Sequence, residues 1–212
     1  MVVAHKKNPT IERIDKLIAE GICTLNIETL LFIHEYLFAG ILDYAGELRK
    51  GNLRKKQWVL HGESVQYERA DNIEGALSDL FEKQKQFKFS QSDKEESLSH
   101  LASFIARLWQ VHPFKEGNTR VTTVFLINYI NSFGFHVTNE ESLKHHKYFR
   151  NTLVRAVYEN KEKGIVNDLE PLKNFLRHAM FGESTKTSSF YLLIENNSDR
   201  KSGSKQFRKK LQ

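Results

Sequence analysis

Apolar side chains recur at intervals of three and four along most of the chain, which is the period of an amphipathic α-helix. This spacing predicts a first helix over residues 11–18 that stops at Gly21, and a second over residues 25–38 that is capped by Thr24 or Asn26. The same period predicts further helices over residues 71–87, 98–111, 120–133, 147–160 and 170–181, and a short last helix over residues 188–195.

Two segments refine this picture. Residues 120–133 are apolar almost all round, which predicts a helix at the centre of the bundle. Residues 57–67 hold β-branched and aromatic side chains around Gly62, which predicts a short hairpin that leans on helices or covers a site as a flap. The predicted fold class is therefore all-α, a mainly helical bundle with one short β-hairpin flap.

The composition is that of a globular protein. Hydrophobic residues make up 40% of the chain and aromatic residues 11%, which is more than a disordered chain contains. Three Pro and eleven Gly argue against a collagen-like or many-turned all-β protein. The single cysteine, Cys23, excludes an internal disulfide and a cysteine-based zinc site, and it fits a reducing compartment.

Neither a signal peptide nor a membrane span is predicted. Residues 1–10 lack the apolar segment of a signal peptide. The longest uncharged stretch, residues 121–135, is shorter than the roughly 18–20 residues that a transmembrane helix needs. We therefore expect a cytoplasmic protein without membrane partners.

The net charge of +6 is concentrated at the C-terminus. Residues 198–212 carry six basic residues and one acidic residue, so they account for +5 and the other 197 residues for +1. Such a run is typical of a basic disordered tail, and its functional alternative is a weak contact with a polyanion. The charge pattern argues against a nucleic-acid-binding fold.

The residues that carry chemistry cluster between the two most apolar predicted helices, in residues 112–120. Pro113 cannot continue the preceding helix, so that helix should end near His112. Gly117 and Asn118 tolerate a left-handed turn, and the next helix should begin directly after them. The segment is therefore predicted to be a tight loop leading into the N-terminus of a buried helix.

These residue types suit the transfer of a phosphorus-centred group to a hydroxyl. The helix N-terminus offers unpaired N–H groups to a phosphate, and Arg120 adds a bidentate cation. Glu116 offers a hard oxygen ligand for Mg²⁺ on a polyphosphate, and His112 is able to accept a proton near neutral pH. Each residue alone has a structural reading as a cap, a core residue or an exposed ion pair. Their conjunction within nine residues favours the chemical reading.

This segment resembles the signature of the Fic family of the Fido superfamily, H-x-F-x-[DE]-G-N-G-R-x-x-R. Upstream, residues 33–38 and 43–49 are similar to the family's H-x-x-L-F and W-A-G-x-x-R stretches, and the resemblance runs in order over roughly residues 25–180. The predicted hairpin falls where that family has its target-docking flap. The resemblance is carried by His112, Phe114, Glu116, Gly117, Asn118 and Arg120, and the candidate docking residues are Val59, Leu60 and His61.

The resemblance implies a nucleotidyltransferase that moves AMP from ATP to a Ser, Thr or Tyr hydroxyl of a target protein, with modification of the protein itself as a further outcome. It implies that His112 is the general base, that Phe114 anchors the loop and that Glu116 holds Mg²⁺. It implies a bacterial protein whose substrate is ATP. The nucleotide-binding residues it implies are Gly117, Asn118, Thr119 and Arg120.

Two positions depart from the signature. Thr119 stands where the family usually has Gly. The threonine side chain leaves less room for a ligand to approach the backbone closely, but it adds a hydroxyl. Thr123 stands where the family has its last Arg, which in the family helps to hold the γ-phosphate and pairs with an inhibitory Glu. Three consequences stay open: weaker ATP binding, a different nucleotide, or another cation that takes the place of the missing Arg.

A regulatory element is suggested near the C-terminus. Some Fic proteins carry an inhibitory helix with the pattern [ST]-x-x-x-E-[GN], and Glu195 and Asn196 supply its last pair, with Tyr191 at the first position. The alternative is an apolar C-terminal helix with an exposed Glu. If Glu195 inhibits, its partner must be Arg120 or a nearby Lys, because Thr123 removes the usual one.

The predicted domain organisation follows from these segments. Residues 1–24 form an N-terminal helical extension, residues 25–181 the Fic domain, residues 182–197 a C-terminal inhibitory helix and residues 198–212 a basic disordered tail.

Two rival functions stay open. In one, the site accepts UTP or GTP in place of ATP. In the other, the chain is a weakly active Fic-fold module that binds a protein or, through its tail, a polyanion. The complete set of base, metal ligand and anion-binding loop argues against a pure binding module.

Overall fold

The computed structural model describes residues 9–183, without the side chains of residues 140–144. Within this range the chain forms seven α-helices and two 3-10 turns, Trp58–Leu60 and Ala70–Asn72, which confirms the prediction of an all-α fold. The helices are α1 (Pro9–Glu20), α2 (Ile27–Phe38), α3 (Ile73–Gln84), α4 (Lys94–Val111), α5 (Asn118–Asn131), α6 (Asn139–Val157) and α7 (Glu170–Phe181).

The core is built around α4 and α5. Helix α4 packs against α3, α5, α6 and α7, while α5 packs against α1, α2 and α6. Nearly every side chain between Val121 and Ile130 is buried. A helix that is apolar on all sides is stable only when neighbours surround it, so the predicted central position of this segment is confirmed.

Helix α1 shares this core. Its Ile14 and Leu17 are buried, and Asn128 of α5 donates to the Leu17 carbonyl at 3.1 Å. The same amide donates to the Ile22 carbonyl at 2.9 Å, so one buried side chain satisfies the end of α1 and the connection that follows it. The predicted stop at Gly21 is confirmed by its left-handed φ of 65°.

The start of α2 is also as predicted. The side chain of Asn26 accepts a hydrogen bond from the Thr29 backbone N–H at 2.9 Å, which is the usual N-cap arrangement.

Helix α6 is longer than its apolar pattern predicts. It begins at Asn139, eight residues before the predicted start, and ends at Val157 rather than at residue 160. The additional turns are polar, and His145 interrupts them with non-helical backbone angles. The Asn139 side chain donates to Asp15 of α1 at 2.8 Å. This polar tertiary contact stabilises the N-terminal end of α6, and it cannot be recognised from the spacing of apolar residues.

The predicted hairpin is present as a chain reversal with one antiparallel bridge between Lys56 and Ser64. A 3-10 turn over Trp58–Leu60 takes the place of extended strands, and His61 and Gly62 then reverse the chain with positive φ. The turn directs Val59 and Leu60 into the core. We call residues 55–67 the flap segment.

In the described part of the chain, no helix combines the length and apolar character that a membrane crossing requires. The predicted last helix, Glu195 and the basic tail lie outside the described residues.

Candidate active site

The loop between α4 and α5 begins and ends with left-handed backbone. His112 closes α4 with φ 51° and ψ 58°, and its N–H donates to the Trp109 carbonyl at 3.1 Å. Gly117 precedes α5 with φ 79°. The loop is therefore the tight connection that Pro113 and Gly117 predict, and the unpaired N–H groups of the α5 N-terminus follow it directly.

Glycine is required at position 117 by space as well as by backbone angle. A Cβ atom on Gly117 would lie 2.4 Å from Cε2 of Phe38, a distance that real Cβ contacts do not reach. The same Phe38 ring carries the Arg120 guanidinium at 4.7 Å from its centre. Phe38 thus supports both the turn at Gly117 and the cation beside it.

Asn118 closes the loop on itself. Its Oδ1 accepts from the Phe114 N–H at 2.9 Å, and its Nδ2 donates to the Phe114 carbonyl at 2.6 Å. Both ends of the amide are occupied, so the group that Asn118 offers to a phosphate is its backbone N–H.

A buried histidine holds the outer part of the loop. The His34 ring stacks on Phe114 at 3.9 Å, and its Nδ1 accepts from the Gly46 N–H at 2.8 Å. The other ring nitrogen, Nε2, therefore carries the proton and donates to the Glu116 carbonyl at 3.2 Å. Burial lowers the pKa of His34, which keeps this ring neutral.

Arg49 joins the start of the loop to two distant segments. Its Nε donates to the His112 carbonyl at 2.8 Å, and its two terminal nitrogens reach the carbonyls of Gly51 at 2.8 Å and Glu68 at 2.5 Å. A further bond runs to Val111 at 3.3 Å. A buried guanidinium thus satisfies the carbonyls at the C-terminus of α4, where a positive charge is favourable.

The imidazole of His112 is enclosed and electrostatically disfavoured as a cation. It is 4% exposed, with Tyr67 at 4.1 Å and Trp109 at 5.3 Å between ring centres. Burial lowers the pKa of His112 to about 3, and the positive charges of Lys55, Arg49 and Arg150 act in the same direction. Its Nδ1 lies 3.3 Å from the Trp109 carbonyl and must donate to it, which leaves Nε2 as the proton-accepting nitrogen.

A cleft of about 230 Å³ opens over this loop. Its walls bring together the α5 N-terminus, the end of α4, the flap segment and α6. Of the described residues, three cationic side chains and no carboxylate line it, so its surroundings favour an anion. The lining residues are Lys55, Gln57, Tyr67, Trp109, His112, Gly117, Asn118, Thr119, Arg120 and Arg150.

The two threonines that depart from the signature have different positions. The Thr119 hydroxyl lies in the cleft and accepts from the Trp109 indole N–H at 3.0 Å. The Thr123 hydroxyl donates to the Thr119 carbonyl within α5 at 2.8 Å, and Thr123 is not among the residues that line the cleft. The cleft therefore has a hydroxyl at position 119 and receives nothing from position 123.

Glu116 is exposed and lies beside the cleft rather than among its lining residues. Burial lowers the pKa of Lys55, and the nearby Glu116 carboxylate opposes that change. In the described residues, no group of three or more His, Cys, Asp or Glu side chains could hold a metal by itself. A single exposed carboxylate next to an anion site fits Mg²⁺, which commonly takes one or two carboxylates together with substrate phosphates.

The three candidate docking residues of the flap segment differ in their exposure to solvent. His61 is exposed, but Val59 and Leu60 are buried side chains of the core. The exposed apolar side chain of this turn is Trp58, which is 53% exposed. An extended hairpin would place all three candidate positions at its exposed tip, whereas the 3-10 turn rotates two of them inward.

Five lining residues are absent from the candidate set that the sequence supplies. Trp109 has the spacing of a core residue of α4. Gln57 begins the predicted hairpin, Tyr67 ends it and Lys55 lies two residues before it, but without the tertiary structure nothing directs these residues to the loop. Arg150 lies on α6, and no local pattern distinguishes it from other helix-surface arginines.

A larger cavity of about 520 Å³ lies outside this site, between the flap segment, α4 and the end of α6. It contains none of the residues of the 112–120 loop.

A known protein family matches about half of this chain. The model of the Fic/DOC family matches residues 24–130. No curated protein matches the chain.

Solved structures share the fold at low sequence identity. The Fic domain of Bep8 from Bartonella sp. 1-1C has a TM-score of 0.59 at 15% identity, covering 81% of this chain and 82% of that one. The Fic domain of a Bep effector from Bartonella quintana, with bound ADP, has 0.57 at 19%, covering 83% and 87%. BepC from Bartonella tribocorum, with bound AMPPNP, has 0.57 at 16%, covering 84% and 88%.

Proposed function

This chain belongs to the Fic/DOC family, and we propose that it is a protein adenylyltransferase, which transfers AMP from ATP to a Ser, Thr or Tyr hydroxyl of a target protein. One observation carries the proposal: a single cleft combines a histidine whose Nε2 is free to accept a proton with a helix N-terminus and three cations. The nucleotides bound to two neighbours of the same fold support it.

The first task of the cleft is to bind the phosphates. The N–H groups at the start of α5 attract the anionic oxygens of the α-phosphate, and Gly117 leaves room for their close approach. Arg120 and Lys55 add charge for the outer phosphates. The ring of Phe38 and the carbonyl of Lys115, 2.8 Å from Lys55 Nζ, hold these cations in position.

The second task is proton removal. The target hydroxyl gives its proton to Nε2 of His112, its oxygen bonds to the α-phosphorus, and the bond from that phosphorus to the β-phosphate oxygen breaks, so pyrophosphate leaves. The proton on Nδ1 stays on that nitrogen, which donates a hydrogen bond to the Trp109 carbonyl. The triphosphate also brings negative charge close to the cations that lower the pKa of His112, which makes the histidine a stronger base when nucleotide is bound.

Glu116 is the residue that would hold Mg²⁺, and a bound Mg²⁺ would neutralise charge on the phosphates. The main chain of Glu116 is fixed by His34, so its carboxylate projects from a rigid loop.

The proposal is tested by the intact mass of the purified protein after incubation with MgATP, alone and with cell lysate. We expect addition of one AMP to the protein or to a lysate protein, and no addition with His112→Ala. His136→Ala, an exposed histidine outside the cleft, is the matched control and should behave as wild type. Transfer that survives in His112→Ala would remove His112 as the base.

Nucleotide choice is measured in the same assay. ATP, UTP, GTP and CTP compete in equal amounts, and we expect AMP to be the group transferred. A dominant UMP or GMP adduct would replace ATP as the substrate and keep the reaction class.

The inhibitory role of Glu195, which lies outside the described residues, remains part of the proposal. Transfer by Glu195→Gly should exceed that of wild type if this side chain competes with the outer phosphates for Arg120 or Lys55. Equal rates in the two proteins would contradict autoinhibition.

A further inference from the structure

The cleft has an arginine that the family signature does not contain. Arg150 lies on α6, outside the residues 24–130 that match the family, and it is exposed at the edge of the cleft. Its Nη2 donates to Oε1 of Gln57 at 2.9 Å. Among the described residues no carboxylate pairs with it, so its charge faces the cleft without neutralisation.

Gln57 positions a second donor as well. This side chain is 2% exposed, and its Nε2 donates to the Tyr67 hydroxyl at 2.9 Å and to the Lys55 carbonyl at 3.3 Å. Because the amide N–H is the donor, the Tyr67 oxygen is the acceptor and keeps its own proton. None of the contacts among residues 9–183 gives that proton an acceptor, and the phenol lines the cleft.

The Tyr67 ring is held in place from its other side. It packs on His112 at 4.1 Å and on Trp109 at 5.8 Å between ring centres. Burial raises the pKa of Tyr67, so its hydroxyl stays protonated and able to donate. One buried amide therefore fixes both a guanidinium and a phenol at the cleft.

We infer that Gln57, Tyr67 and Arg150, which we call the Gln57 wall, form a second anion-binding surface that takes the outer phosphates of a polyphosphate. The first surface is formed by the N–H groups at the N-terminus of α5, and the wall adds to Arg120 and Lys55 for the outer phosphates. A ligand with one phosphate is satisfied by the first surface alone, whereas a chain of phosphates has oxygens for both. The inference rests on the proposed function only in that it concerns the same cleft.

The wall also compensates for the absence of an arginine at position 123. The Thr123 hydroxyl is bonded within α5, so that helix offers one cation to the cleft, Arg120. Arg150 supplies a further cation from α6. Gln57 and Tyr67 are positioning and donor groups in this arrangement, and the base remains His112.

Calorimetric titration with MgATP, MgADP, MgAMP and magnesium tripolyphosphate tests the inference. We expect Arg150→Gln to weaken binding of ATP and tripolyphosphate by about tenfold or more, because it removes a charge-assisted contact, and to leave AMP binding within about twofold. Arg150→Lys keeps the charge and should recover part of the loss. Arg69→Gln removes an exposed cation that pairs with Asp71 outside the cleft, and it should bind as wild type.

Gln57→Glu separates binding from structure. The new carboxylate would keep the contact to Arg150 but neutralise its charge, and it would accept a hydrogen bond from the Tyr67 hydroxyl. If the wall only supports the flap segment, this variant should bind ATP as wild type does. We expect instead a loss of ATP affinity of about tenfold with the same melting temperature. Tyr67→Phe should lose less, about threefold, because it removes one neutral donor.

Several results would overturn the inference. One is that Arg150→Gln weakens the binding of AMP and of ATP equally, and another is that it weakens neither. A third is that the wild type binds neither ATP nor tripolyphosphate. The transfer assay separates this inference from the proposed function. Arg150-dependent binding of ATP without AMP transfer keeps the wall and refutes the proposed function, whereas AMP transfer together with ATP binding that is insensitive to Arg150→Gln refutes the wall alone. Binding of tripolyphosphate that equals that of ATP would identify inorganic polyphosphate as a second source of the anion.

Discussion

At the scale of the residue, His112 shows how burial changes a familiar side chain. Its left-handed backbone angle turns the ring back under α4, where Tyr67 and Trp109 exclude water. A neutral imidazole is compatible with such a place, and an imidazolium is not. The residue is thus held in the proton-accepting form from the outset.

This state predicts a pH dependence of stability. The pKa is about 3 in the folded protein and about 6.5 in the unfolded chain, so between these values the unfolded chain binds a proton that the folded protein does not. The contribution of His112 to the free energy of unfolding is fully present above pH 6.5 and is lost progressively as the pH is lowered towards the folded pKa. Urea unfolding of wild type and His112→Gln at pH 7.5 and 5 should differ in this loss by about 2 kcal/mol.

The comparison cancels the other titrating groups, since both proteins share them. Parallel pH curves for the two proteins would show that the pKa of His112 is the same in the folded protein and in the unfolded chain, and would contradict the enclosed geometry.

Gly117 is the residue whose replacement should disturb the loop most. Alanine there has both a positive φ and a Cβ overlapping Phe38, so we expect Gly117→Ala to lower the free energy of unfolding by about 2–3 kcal/mol. Gly164→Ala has a similar φ of 63° and open space around the Cβ, and it should cost about 1 kcal/mol. Chemical denaturation measures both.

The difference between the two variants isolates the contact with Phe38. A smaller side chain at position 38, as in Gly117→Ala combined with Phe38→Leu, should relieve the overlap and recover part of the additional loss of stability. Equal costs for the two single variants would mean that the Phe38 overlap relaxes without penalty.

At the scale of the element, the α4–α5 connection depends on groups from outside it. The last turn of α4 leaves carbonyls without partners in the helix, and Arg49 bonds to those of Val111 and His112. The Arg49 N–H also donates to the Pro113 carbonyl at 2.9 Å. The loop is therefore positioned by a segment more than sixty residues earlier in the chain.

Arg49→Lys should loosen this connection. A lysine retains the charge but cannot reach four carbonyls with a planar fork, so we expect the free energy of unfolding to fall by about 2 kcal/mol. Binding of MgATP should weaken at the same time, because the proposed phosphate-binding turn follows the loop that Arg49 holds.

Arg69→Lys is the matched control. Arg69 is exposed and pairs with Asp71, so its replacement should leave both the unfolding midpoint and ATP binding unchanged. An Arg49→Lys protein with wild-type stability would show that the loop holds its shape without the guanidinium.

At the scale of the whole molecule, the flap segment is joined to the connection between α6 and α7. Glu63 accepts from the Tyr158 hydroxyl and from Lys163, and the Asn160 amide lies 3.4 Å from the same carboxylate. These contacts lower the pKa of Glu63, with Lys163 as the largest cause. Because Lys55, Gln57 and Tyr67 belong to the flap segment, the cleft depends on this distant contact.

Glu63→Gln should therefore raise the amide hydrogen exchange of residues 56–64 and of residues 158–165 together, since neutralising one carboxylate weakens both sides of the contact. Hydrogen exchange followed by mass spectrometry measures this. Glu162→Gln changes an exposed carboxylate next to Lys163 and should leave both segments as in wild type. Faster exchange in one segment alone would contradict a shared contact.

Features made by residues that are close together in the chain could be predicted from the sequence alone. The helix period places the helices, with the central position of α5 following from its apolar composition. The nine residues from His112 to Arg120 supply a loop, a helix start and the family signature, because a turn and a cap are made by residues that are close in the chain. The Fic assignment from those residues is confirmed by the family match.

The rest of the site depends on contacts between residues that are far apart in the chain. Arg150 and Gln57 are 93 residues apart, and no local pattern predicts that they meet. The burial of Val59 and Leu60, the early start of α6 and the low pKa of His112 likewise arise from packing between distant elements. Hydrogen bonds and charges act over a few ångströms in space, whereas sequence patterns record distance along the chain.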